Sequence, residues 1–351
     1  MSLEFFRGKS VFVTGHTGFK GAWLCHVLKR AGARVTGYAL APENGALFEV
    51  ISVDNGMSSV IGDIRDIEGL TSAFRSAQPE IVFHLAAQPL VLDSYEQPVY
   101  TFETNVIGTA NLLECVREND SVRSVVIITT DKVYKNREWS YGYREIDELG
   151  GSDPYSASKA CAELVVESYR LSFLQKKGIP VSTARAGNVI GGGDISANRI
   201  IPDCVRAAKR NEPIDVRNPG SVRPYQHVLE PVFAYLYIAE RQYEDVTFEG
   251  CYNIGPDEGD YVTTGFLVDT FCKSWENEMS WQNVSQKDAP HEAGLLRLDC
   301  SKIRSVLGWR PVWDVKTAVE KTARWEKERH TGGKALEVMN MQIDEYIGCV
   351  R

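Results

Sequence analysis

The chain has 351 residues, of which 43% are hydrophobic, 25% charged and 10% aromatic, and these ordinary globular values exclude collagen-like, low-complexity and disordered proteins. A single core stops growing at roughly this length, so one large domain with a smaller one is expected. Acidic residues exceed basic ones by eight, 47 against 39, which argues against a general nucleic-acid binder because such proteins need a basic surface.

The first half of the chain alternates short apolar strands with longer amphipathic helices. The strand-like segments are rich in β-branched residues and almost continuously apolar, which indicates a parallel sheet covered on both faces. The repeated strand–helix order indicates an α/β fold. The predicted strands are Lys9–Thr14, Arg34–Ala39, Ser59–Gly62, Ile81–Leu85, Ser124–Thr129 and Pro180–Arg185, and the predicted helices are Gly21–Ala31, Ile67–Ala77, Tyr100–Arg117 and Ala157–Gln175.

After Gly191 the pattern changes to short helices, isolated strands and most of the tryptophans, which predicts a second, smaller lobe. We expect Val216–Pro224 and Cys251–Pro256 to be strands of that lobe, and Tyr225–Arg241 to be a helix that returns to the sheet. The prediction is therefore a domain at residues 1–190, with a returning segment near 225–245, and an interwoven α/β lobe formed mainly by residues 191–351.

The chain carries no recognisable signal for secretion or for a membrane. Residues 1–15 lack a basic region followed by an apolar run, and no stretch approaches the ~18 uncharged apolar residues of a transmembrane helix. The cysteines are scattered without metal-ligand spacing, so we expect reduced thiols in a cytoplasmic protein, with neither a disulfide framework nor a metal site. They are Cys25, Cys115, Cys161, Cys204, Cys251, Cys272, Cys300 and Cys349.

A glycine-rich turn follows the first predicted strand and opens the first predicted helix. Its GxxGxxG spacing lets the chain turn tightly and lets backbone amides approach a pyrophosphate, which the helix N-terminus also attracts. Such triplets also occur in purely structural turns, but the position at the start of a strand–helix series favours phosphate binding. The residues are Gly15, His16, Thr17, Gly18, Phe19, Lys20 and Gly21.

With the preceding Thr14, this spacing resembles the extended short-chain dehydrogenase/reductase family rather than the ordinary GxGxxG folds. The resemblance implies a Rossmann-type doubly wound parallel sheet, with the smaller C-terminal lobe binding the substrate. It also assigns a residue pair after the third strand to the adenine, an HxAA-like signature beneath the cofactor, and a helix-embedded asparagine. These further cofactor-binding residues are Asp63, Ile64, Leu85, Ala86, Ala87, Gln88 and Asn105.

The second predicted strand lacks the acidic residue that usually binds the adenosine ribose hydroxyls in such folds. The segment Gly37–Leu40 has neither a carboxylate nor an arginine, so these residues select neither NAD nor NADP. His16 and Lys20 either reach a ribose phosphate or are solvated loop residues. The family resemblance implies NAD as the cofactor.

Tyr155 and Lys159 form a YxxxK motif on a predicted helix. Residues four apart lie on one helix face, so the ammonium can lie near the phenol oxygen. A neighbouring cation favours phenolate and lowers a tyrosine pKa from about 10, which would make Tyr155 a base or acid near neutral pH. The alternative is a surface pair. In the resembled family this pair is catalytic and also binds the cofactor.

Thr130, Asp131 and Lys132 follow the fifth predicted strand, at the end of the sheet where ligands gather. Sugar-nucleotide 4,6-dehydratases carry Thr-Asp-Glu here, and Thr-Asp-Lys resembles the branch that acts on CDP-glucose. The resemblance implies that Thr130 hydrogen-bonds the reacting sugar oxygen and that Asp131 protonates the departing hydroxyl at carbon 6. Lys132 either removes the proton at carbon 5 or stabilises an enolate as a cation. A non-catalytic Asp-Lys ion pair is the alternative.

Further segments resemble the same branch from Phe6 to about Trp313, which implies a nucleoside diphosphate sugar as the substrate. Arg223 is the main candidate for the diphosphate, because a guanidinium can hold two oxygens at once. No residue distinguishes cytosine from uracil or thymine, so CDP is implied by the resemblance alone. The other substrate-binding candidates are Gln88, Asn188, Arg199, Arg217 and Arg297.

Together these features predict a lyase that converts CDP-glucose to CDP-4-keto-6-deoxyglucose in deoxysugar biosynthesis. Transient oxidation at carbon 4 by bound NAD would precede loss of water across carbons 5 and 6 and hydride return to carbon 6. A 4-epimerase, or a dehydratase for another sugar nucleotide, is the first alternative, and a non-catalytic dinucleotide sensor is the second. Apolar residues lie on more than one face of Tyr100–Arg117 and Ala157–Gln175, which indicates that these helices are buried. The family resemblance implies that they pair across the interface of a homodimer or homotetramer, and burial against the sheet alone is the alternative. We expect no nucleic-acid or membrane partner.

Overall fold

The computed structural model describes residues 3–275, 279–285 and 295–350, and its centre is a sheet of seven parallel strands. In chain order, the strands of this sheet and of the smaller ladders are β1 Ser10–Thr14, β2 Arg34–Ala39, β3 Ser58–Ile61, β4 Ile81–His84, β5 Ser124–Ile128, β6 Val181–Ala186, β7 Val189–Ile190, β8 Ile214–Val216, β9 Val222–Arg223, β10 Gln226–His227, β11 Cys251–Ile254, β12 Val262–Thr263 and β13 Trp281–Asn283. The large sheet has the order β3-β2-β1-β4-β5-β6-β11. The chain thus winds outward twice from β1, which confirms the predicted doubly wound α/β fold.

Helices cover both faces of this sheet, and other helices belong to the smaller lobe. They are α1 Phe19–Arg30, α2 Leu47–Val50, α3 Ile67–Ala77, α4 Val91–Glu96, α5 Pro98–Phe102, α6 Gly108–Arg117, α7 Pro154–Tyr169, α8 Gln175–Lys177, α9 Ile200–Arg210, α10 Leu229–Glu244, α11 Thr264–Trp275, α12 Ser301–Val306, α13 Val315–His330 and α14 Ala335–Cys349. Short 3-10 turns occupy Leu3–Phe6, Asp131–Val133, Val246–Phe248 and Glu258–Asp260, and π-helical turns occupy Glu103–Ile107 and Arg170–Leu174.

Side chains of the strands alternate between two apolar cores, one on each face of the sheet. Val11 and Val13 of β1 pack with α1 and α10, whereas Phe12 packs with α3, α6 and α7. Every one of the five residues of β1 is buried. A strand buried on both faces has to be apolar throughout, and this explains the nearly continuous apolar strands in the sequence.

The predicted elements of the first half are confirmed, but two of the predicted helices differ. The segment predicted as one helix at Tyr100–Arg117 is interrupted by the π-helical turn Glu103–Ile107. The helix predicted at Ala157–Gln175 ends at Tyr169 and is followed by the π-helical turn Arg170–Leu174. It begins earlier than predicted, at Pro154, because Asp153 caps it by accepting a hydrogen bond from Ser156 N. A proline in the first helical turn costs no hydrogen bond, since its missing N–H would have no partner there.

The C-terminal half forms a smaller lobe and also completes the large sheet. Three two-stranded ladders, β7 with β10, β8 with β13 and β9 with β12, lie outside the large sheet. Residues of α9, α11 and α13 form a third apolar core. Cys251–Ile254, which we expected in the smaller lobe, is instead the edge strand β11 of the large sheet, because it pairs in parallel with β6. Helix α10 returns to this sheet, where Ser124 Oγ donates to Ala239 O at 3.0 Å.

Candidate functional site

A cavity of about 430 Å³ lies at the carboxyl ends of the strands, between the large sheet and the smaller lobe. The strand order reverses between β1 and β4, and open α/β sheets bind their ligands outside the carboxyl ends of the strands at such a point. The cavity wall combines the glycine loop, the turn after β5, the first turns of α7 and several residues of the smaller lobe. It includes Lys20, Thr130, Asp131, Tyr155, Lys159, Asn188 and Arg223.

The backbone of the glycine loop is packed so closely that Gly15 and Gly21 leave no room for a side chain. Gly15 has a φ of +74°, and a Cβ there would lie 2.7 Å from Ala86 N. A Cβ on Gly21 would lie 2.1 Å from Gly15 O. Gly18 precedes α1 without a side-chain cap, so the first-turn amides lack intrahelical partners. Free amides at a helix N-terminus, in a cradle this close, fit a pyrophosphate.

The two polar side chains of the glycine loop lie in different places. The ring of His16 is buried, with Nε2 2.7 Å from Ser59 Oγ, and burial lowers its pKa to about 4. It is therefore neutral and offers no charge to a ribose phosphate, contrary to one of the two expectations, and it is not solvated either. Lys20 lines the cavity, where burial and the charges of Arg199 and Lys159 lower its pKa to about 7.

The region expected to hold the adenosine lies beside β2 and β3. The carboxylate of Asp63 accepts from Arg65 Nη2 at 2.7 Å, and the hydrogen bonds from Arg65 lower the pKa of Asp63. Ile64 is buried against Gly108, where a Cβ would lie 2.6 Å from Ile64 Cγ2. A Cβ on Gly37 would lie 2.2 Å from the His16 ring. The imidazole thus fills the space beside β2, where the sequence has no carboxylate.

A buried chain of hydrogen bonds supports the loop after β4. Thr109 Oγ1 donates to Asn105 O at 2.7 Å, so it accepts from His84 Nε2 at 3.1 Å. This places the imidazole proton on Nε2, and Nδ1 accepts from Thr14 Oγ1 at 2.7 Å. Thr14 Oγ1 in turn accepts from the amides of the two residues after His84, each at 3.2 Å. Burial lowers the pKa of His84 to about 3, so the ring stays neutral.

Gln88 and Asn105 do not line the cavity but hydrogen-bond to segments next to it. Gln88 Nε2 donates to Leu90 O at 3.1 Å and to Thr101 Oγ1 at 2.9 Å, and Oε1 accepts from Leu90 N. This side chain is therefore engaged inside the protein, which differs from the prediction that it contacts the cofactor or the substrate. Asn105 accepts from Gln88 N at 2.9 Å and donates to Ser158 Oγ at 2.8 Å. It thereby ties the loop after β4 to α7 and does not face the cavity.

Tyr155 and Lys159 lie one turn apart on α7 and both line the cavity. Lys159 Nζ donates to Ile128 O at 3.2 Å, and burial lowers the pKa of Lys159 to about 8. Burial raises the pKa of Tyr155 to about 12, while the Thr130 side chain lowers it and the charge of Asp131 raises it. The predicted lowering of the Tyr155 pKa is therefore wrong for the protein alone, because burial is the largest influence on this phenol and raises its pKa.

The turn after β5 presents an acid with one free oxygen. Asp131 is 2% exposed, its Oδ1 accepts from Thr130 Oγ1 at 3.0 Å, and its Oδ2 has no hydrogen-bond partner among the described residues. Burial raises the pKa of Asp131, against the charges of Lys132 and Arg223. Lys132 Nζ lies 6.0 Å from the centre of the Tyr155 ring. The geometry therefore brings a carboxyl, a phenol and an ammonium together in one wall.

The substrate-binding candidates fall into two groups. Arg223 is only 8% exposed and lines the cavity together with Asn188, Arg199 and Arg217. Arg297 does not line the cavity, and its guanidinium instead lies 5.4 Å from the centre of the Tyr261 ring. Four of the six predicted residues therefore share the cavity wall, whereas Gln88 and Arg297 do not.

Two carboxylates of the site were not assigned from the sequence. Asp194, at the end of the Gly191–Asp194 loop, lines the cavity and forms an ion pair with Arg199 at 3.1 Å. Glu163 is buried one turn beyond Lys159 and forms an ion pair with Arg185 at 2.8 Å. Two sequence patterns could have indicated them. Asp194 lies five residues before Arg199, and Glu163 lies four residues after Lys159, on the same face of the predicted helix.

The chain matches known proteins over most of its length. A family model described as GDP-mannose 4,6 dehydratase matches residues 12–322. A CDP-glucose 4,6-dehydratase of Salmonella typhimurium is 47% identical over 351 residues, which span 98% of each chain. The structure of a dTDP-glucose 4,6-dehydratase from Streptomyces venezuelae with NAD and TYD bound is 26% identical, with a TM-score of 0.78 over 93% of this chain and 99% of that chain.

A second solved structure adds an epimerase to these relatives. The UDP-glucose 4-epimerase of Thermus thermophilus in complex with NAD is 27% identical, with a TM-score of 0.78 over 90% of this chain and 98% of that chain. Within the described part of the chain, no helix is long and apolar enough to cross a membrane, and no three His, Cys, Asp or Glu side chains are grouped as metal ligands. All eight cysteines are free thiols.

Proposed function

Because the chain belongs to the GDP-mannose 4,6 dehydratase family, we propose that it is a lyase that converts CDP-glucose to CDP-4-keto-6-deoxyglucose, a step of deoxysugar biosynthesis. The cofactor is NAD, which when bound accepts a hydride from carbon 4 of the sugar and returns it at carbon 6. The 47% identity to a CDP-glucose 4,6-dehydratase supports this substrate. The two related structures that contain NAD support the cofactor.

The observation that carries the dehydratase assignment is the free oxygen of Asp131. A 4-epimerase or a simple dehydrogenase needs a phenol and an ammonium, which Tyr155 and Lys159 supply, but it has no leaving group to protonate. Asp131 lies in the same cavity wall, its Oδ2 has no hydrogen-bond partner in the part of the chain that the structure describes, and burial raises the pKa of this acid. A carboxyl whose pKa is raised by burial is the kind of group that can donate a proton to a departing hydroxyl.

The residues of the cavity wall divide the work as follows. Tyr155 takes the proton of the carbon 4 hydroxyl as a phenolate. The Lys159 ammonium and the Thr130 side chain favour this form against burial, which raises the pKa of Tyr155 in the protein alone. Asp131 protonates the hydroxyl that leaves carbon 6. Lys132 acts at carbon 5, where the new ketone has made the proton acidic. The glycine loop holds the cofactor pyrophosphate through its amides, and Arg223 holds the substrate diphosphate.

The proton balance gives Thr130 a second task. In one turnover Tyr155 gains the carbon 4 hydroxyl proton and Asp131 loses one to the leaving water, while the proton taken from carbon 5 returns to that carbon. Tyr155 then holds one proton too many and Asp131 one too few. Thr130 donates to Asp131 Oδ1 at 3.0 Å and interacts with Tyr155. We propose its hydroxyl as the route by which the surplus proton passes from Tyr155 back to Asp131.

The test is incubation of the enzyme with CDP-glucose and NAD, followed by mass spectrometry and by the absorbance that a 4-ketone develops in alkali. We expect a product lighter by one water that carries the ketone. CDP-galactose as the product would establish the epimerase instead, and accumulation of NADH with an unreduced 4-ketone would establish a dehydrogenase. The same assay with UDP-, dTDP- and GDP-glucose ranks the bases, and we expect the highest kcat/KM for CDP-glucose.

We also propose that the enzyme is a homodimer, alone or as half of a homotetramer, formed through α5, α7 and the π-helical turns that adjoin them. Large apolar side chains on these helices and the two adjoining π-helical turns are exposed in the single chain, although they lie away from the cavity. A face of this kind on two neighbouring helices matches a second copy related by a two-fold axis, because each copy buries the other's apolar residues. The residues are Val99, Phe102, Ile107, Leu164, Leu171 and Phe173.

A further inference from the structure

Glu163 lies behind the catalytic pair on α7 and receives an unusual number of hydrogen bonds. It is four residues beyond Lys159 and eight beyond Tyr155, so the three side chains share one face of the helix. Its carboxylate accepts from Thr129 Oγ1 at 2.6 Å, Thr183 Oγ1 at 2.8 Å, and Arg185 Nε and Nη2 at 2.9 and 2.8 Å. A carboxylate offers about four acceptor positions, so these four donors occupy them.

The donors come from the strands that carry the other half of the site. Thr129 directly precedes Thr130, Asp131 and Lys132, and Thr183 and Arg185 lie on β6. Arg185 Nη1 continues the network to Tyr134 OH at 2.9 Å. One buried carboxylate therefore joins the helix of the phenol and ammonium to the strand end of the acid. Every hydrogen bond to this carboxylate is donated by a neighbour, and one of the donors is the buried Arg185 guanidinium, with which Glu163 forms an ion pair at 2.8 Å.

This arrangement places a fixed negative charge one helical turn from a buried ammonium. Lys159 is 5% exposed, and burial lowers its pKa to about 8, whereas the charge of Glu163 raises it. The other groups that face this pair come from four elements: Arg185 of β6, Cys251 of β11, His84 of β4 and Lys20 of α1. His84 is neutral, and the cations oppose a charged Lys159, so Glu163 is the group in its surroundings that favours the ammonium.

We infer that Glu163 is a positioning residue that keeps Lys159 protonated and holds α7 in register with the turn that carries Asp131. This inference rests on the proposed function, in which the Lys159 ammonium stabilises the Tyr155 phenolate. As a consequence, the pH at which activity falls on the alkaline side, where Lys159 loses its proton, depends on Glu163, a residue that does not touch the substrate.

The experiment compares Glu163→Gln, Glu163→Asp and wild-type enzyme in the pH profile of kcat/KM for CDP-glucose. Removing the charge should move the alkaline limb down by about one pH unit or more, and kcat/KM at pH 9 should fall about tenfold further than at pH 7. Glu163→Asp keeps the charge and should keep the limb near the wild-type position. Glu167→Gln, one turn further along α7 on an exposed carboxylate, is the matched control and should leave the limb unchanged.

A second readout avoids turnover. In enzyme labelled with ¹³C at lysine Cε, the NMR titration of Lys159, assigned with Lys159→Met, should shift to lower pH in Glu163→Gln. If the single variant fails to fold because Arg185 is left unpaired, the double variant Glu163→Gln/Arg185→Gln removes both buried charges. Its Lys159 titration is compared with that of Arg185→Gln, which lacks the same cation but keeps Glu163, and it should lie at lower pH.

An unmoved Lys159 titration in a folded variant would overturn the inference, as would equal losses for Glu163→Gln and Glu163→Asp at every pH. Absence of turnover by wild-type enzyme would contradict the proposed function instead, while the NMR titration would still test Glu163.

Discussion

At the scale of single residues, the chemistry of the site depends on how burial changes the pKa values of its side chains. Burial raises the pKa of both Asp131 and Tyr155, and it lowers the pKa of Lys159 to about 8 and of Lys20 to about 7. Each of these side chains is thus pushed toward its neutral form, in which a carboxyl can give a proton. The sequence indicated the residue types and their spacing, but the sign of the Tyr155 shift depends on burial, which spacing does not reveal.

Lys132 provides the first test at this scale. Replacing it with alanine removes the group next to the carbon 5 proton, so we expect kcat to fall by about a hundredfold while the affinity for NAD, measured by titration calorimetry, is unchanged. Lys132→Arg separates the two possible roles, because arginine keeps the charge but does not accept a proton at these pH values. Lys135→Ala, at an exposed lysine paired with Glu148, is the control. Wild-type turnover by Lys132→Ala would remove Lys132 from the mechanism.

Glu230 gives a prediction about stability. This fully buried acid of α10 accepts from Tyr346 OH at 2.6 Å and from Trp313 N at 2.8 Å, and burial raises its pKa from 4.5 to about 7. A raised pKa means that the folded state holds the proton more tightly, so this contribution is full below pH 4.5 and is lost as the pH rises through 7. The free energy of unfolding should therefore decline by up to about 3 kcal/mol from pH 4.5 to 7.5 through this group.

Denaturant unfolding of wild-type protein and Glu230→Gln at both pH values measures this contribution. The glutamine variant should be less stable at low pH, because it loses an acceptor, but its stability should decline less between the two values. Parallel pH dependence in the two proteins would show that Glu230 does not titrate in this range.

At the scale of elements, the site is assembled from strand ends and helix starts. The glycine loop joins β1 to α1, the Thr130–Lys132 turn follows β5, and the pair Tyr155 and Lys159 begins α7. Each of these is readable from sequence, because glycine spacing, apolar strands and i, i+4 pairs are local patterns. The supporting contacts are not local. Gln88 binds Leu90 and Thr101 inside the protein, and Asn105 reaches Ser158 on another helix.

Gly15 allows a test of the glycine loop. Gly15→Ala forces a Cβ to within 2.7 Å of Ala86 N at a φ of +74°, so the loop must move and the affinity for NAD should fall at least about tenfold. Gly56→Ala is the matched control: its φ is +83°, but no atom lies within 4 Å of the added Cβ. It should carry the same backbone cost and bind NAD normally. Equal NAD affinities in the two variants would contradict the proposal that the glycine loop binds the cofactor pyrophosphate.

At the scale of the whole molecule, the sequence predicted the large sheet better than the smaller lobe. Six strands of the large sheet follow from their apolar pattern, whereas the seventh, Cys251–Ile254, was placed in the wrong part of the fold. A four-residue strand carries little pattern, and only its pairing with β6, about 70 residues earlier in the chain (Cys251 with Thr183), decides where it belongs. The division of the chain at residue 190 stays a prediction.

The exposed apolar residues of α5, α7 and the adjoining π-helical turns give a prediction about assembly. Leu164 is 61% exposed on α7, and an aspartate there would be buried without a partner in a two-fold interface. Leu164→Asp should therefore sediment as a monomer where wild-type protein sediments as a dimer or tetramer. Ile146→Asp, at a residue that is 83% exposed outside these helices, is the control and should keep the wild-type state. A wild-type protein that is already monomeric would contradict the proposal.

The central claim is that the hydride removed from carbon 4 returns to carbon 6 of the same sugar with loss of one water. CDP-glucose deuterated at carbon 4, incubated with unlabelled NAD, tests it directly. The account predicts a 4-keto-6-deoxy product with deuterium in its methyl group, seen by mass spectrometry and NMR, and cofactor without label. Deuterium retained at carbon 4 in CDP-galactose, or released in the reduced cofactor, would contradict it.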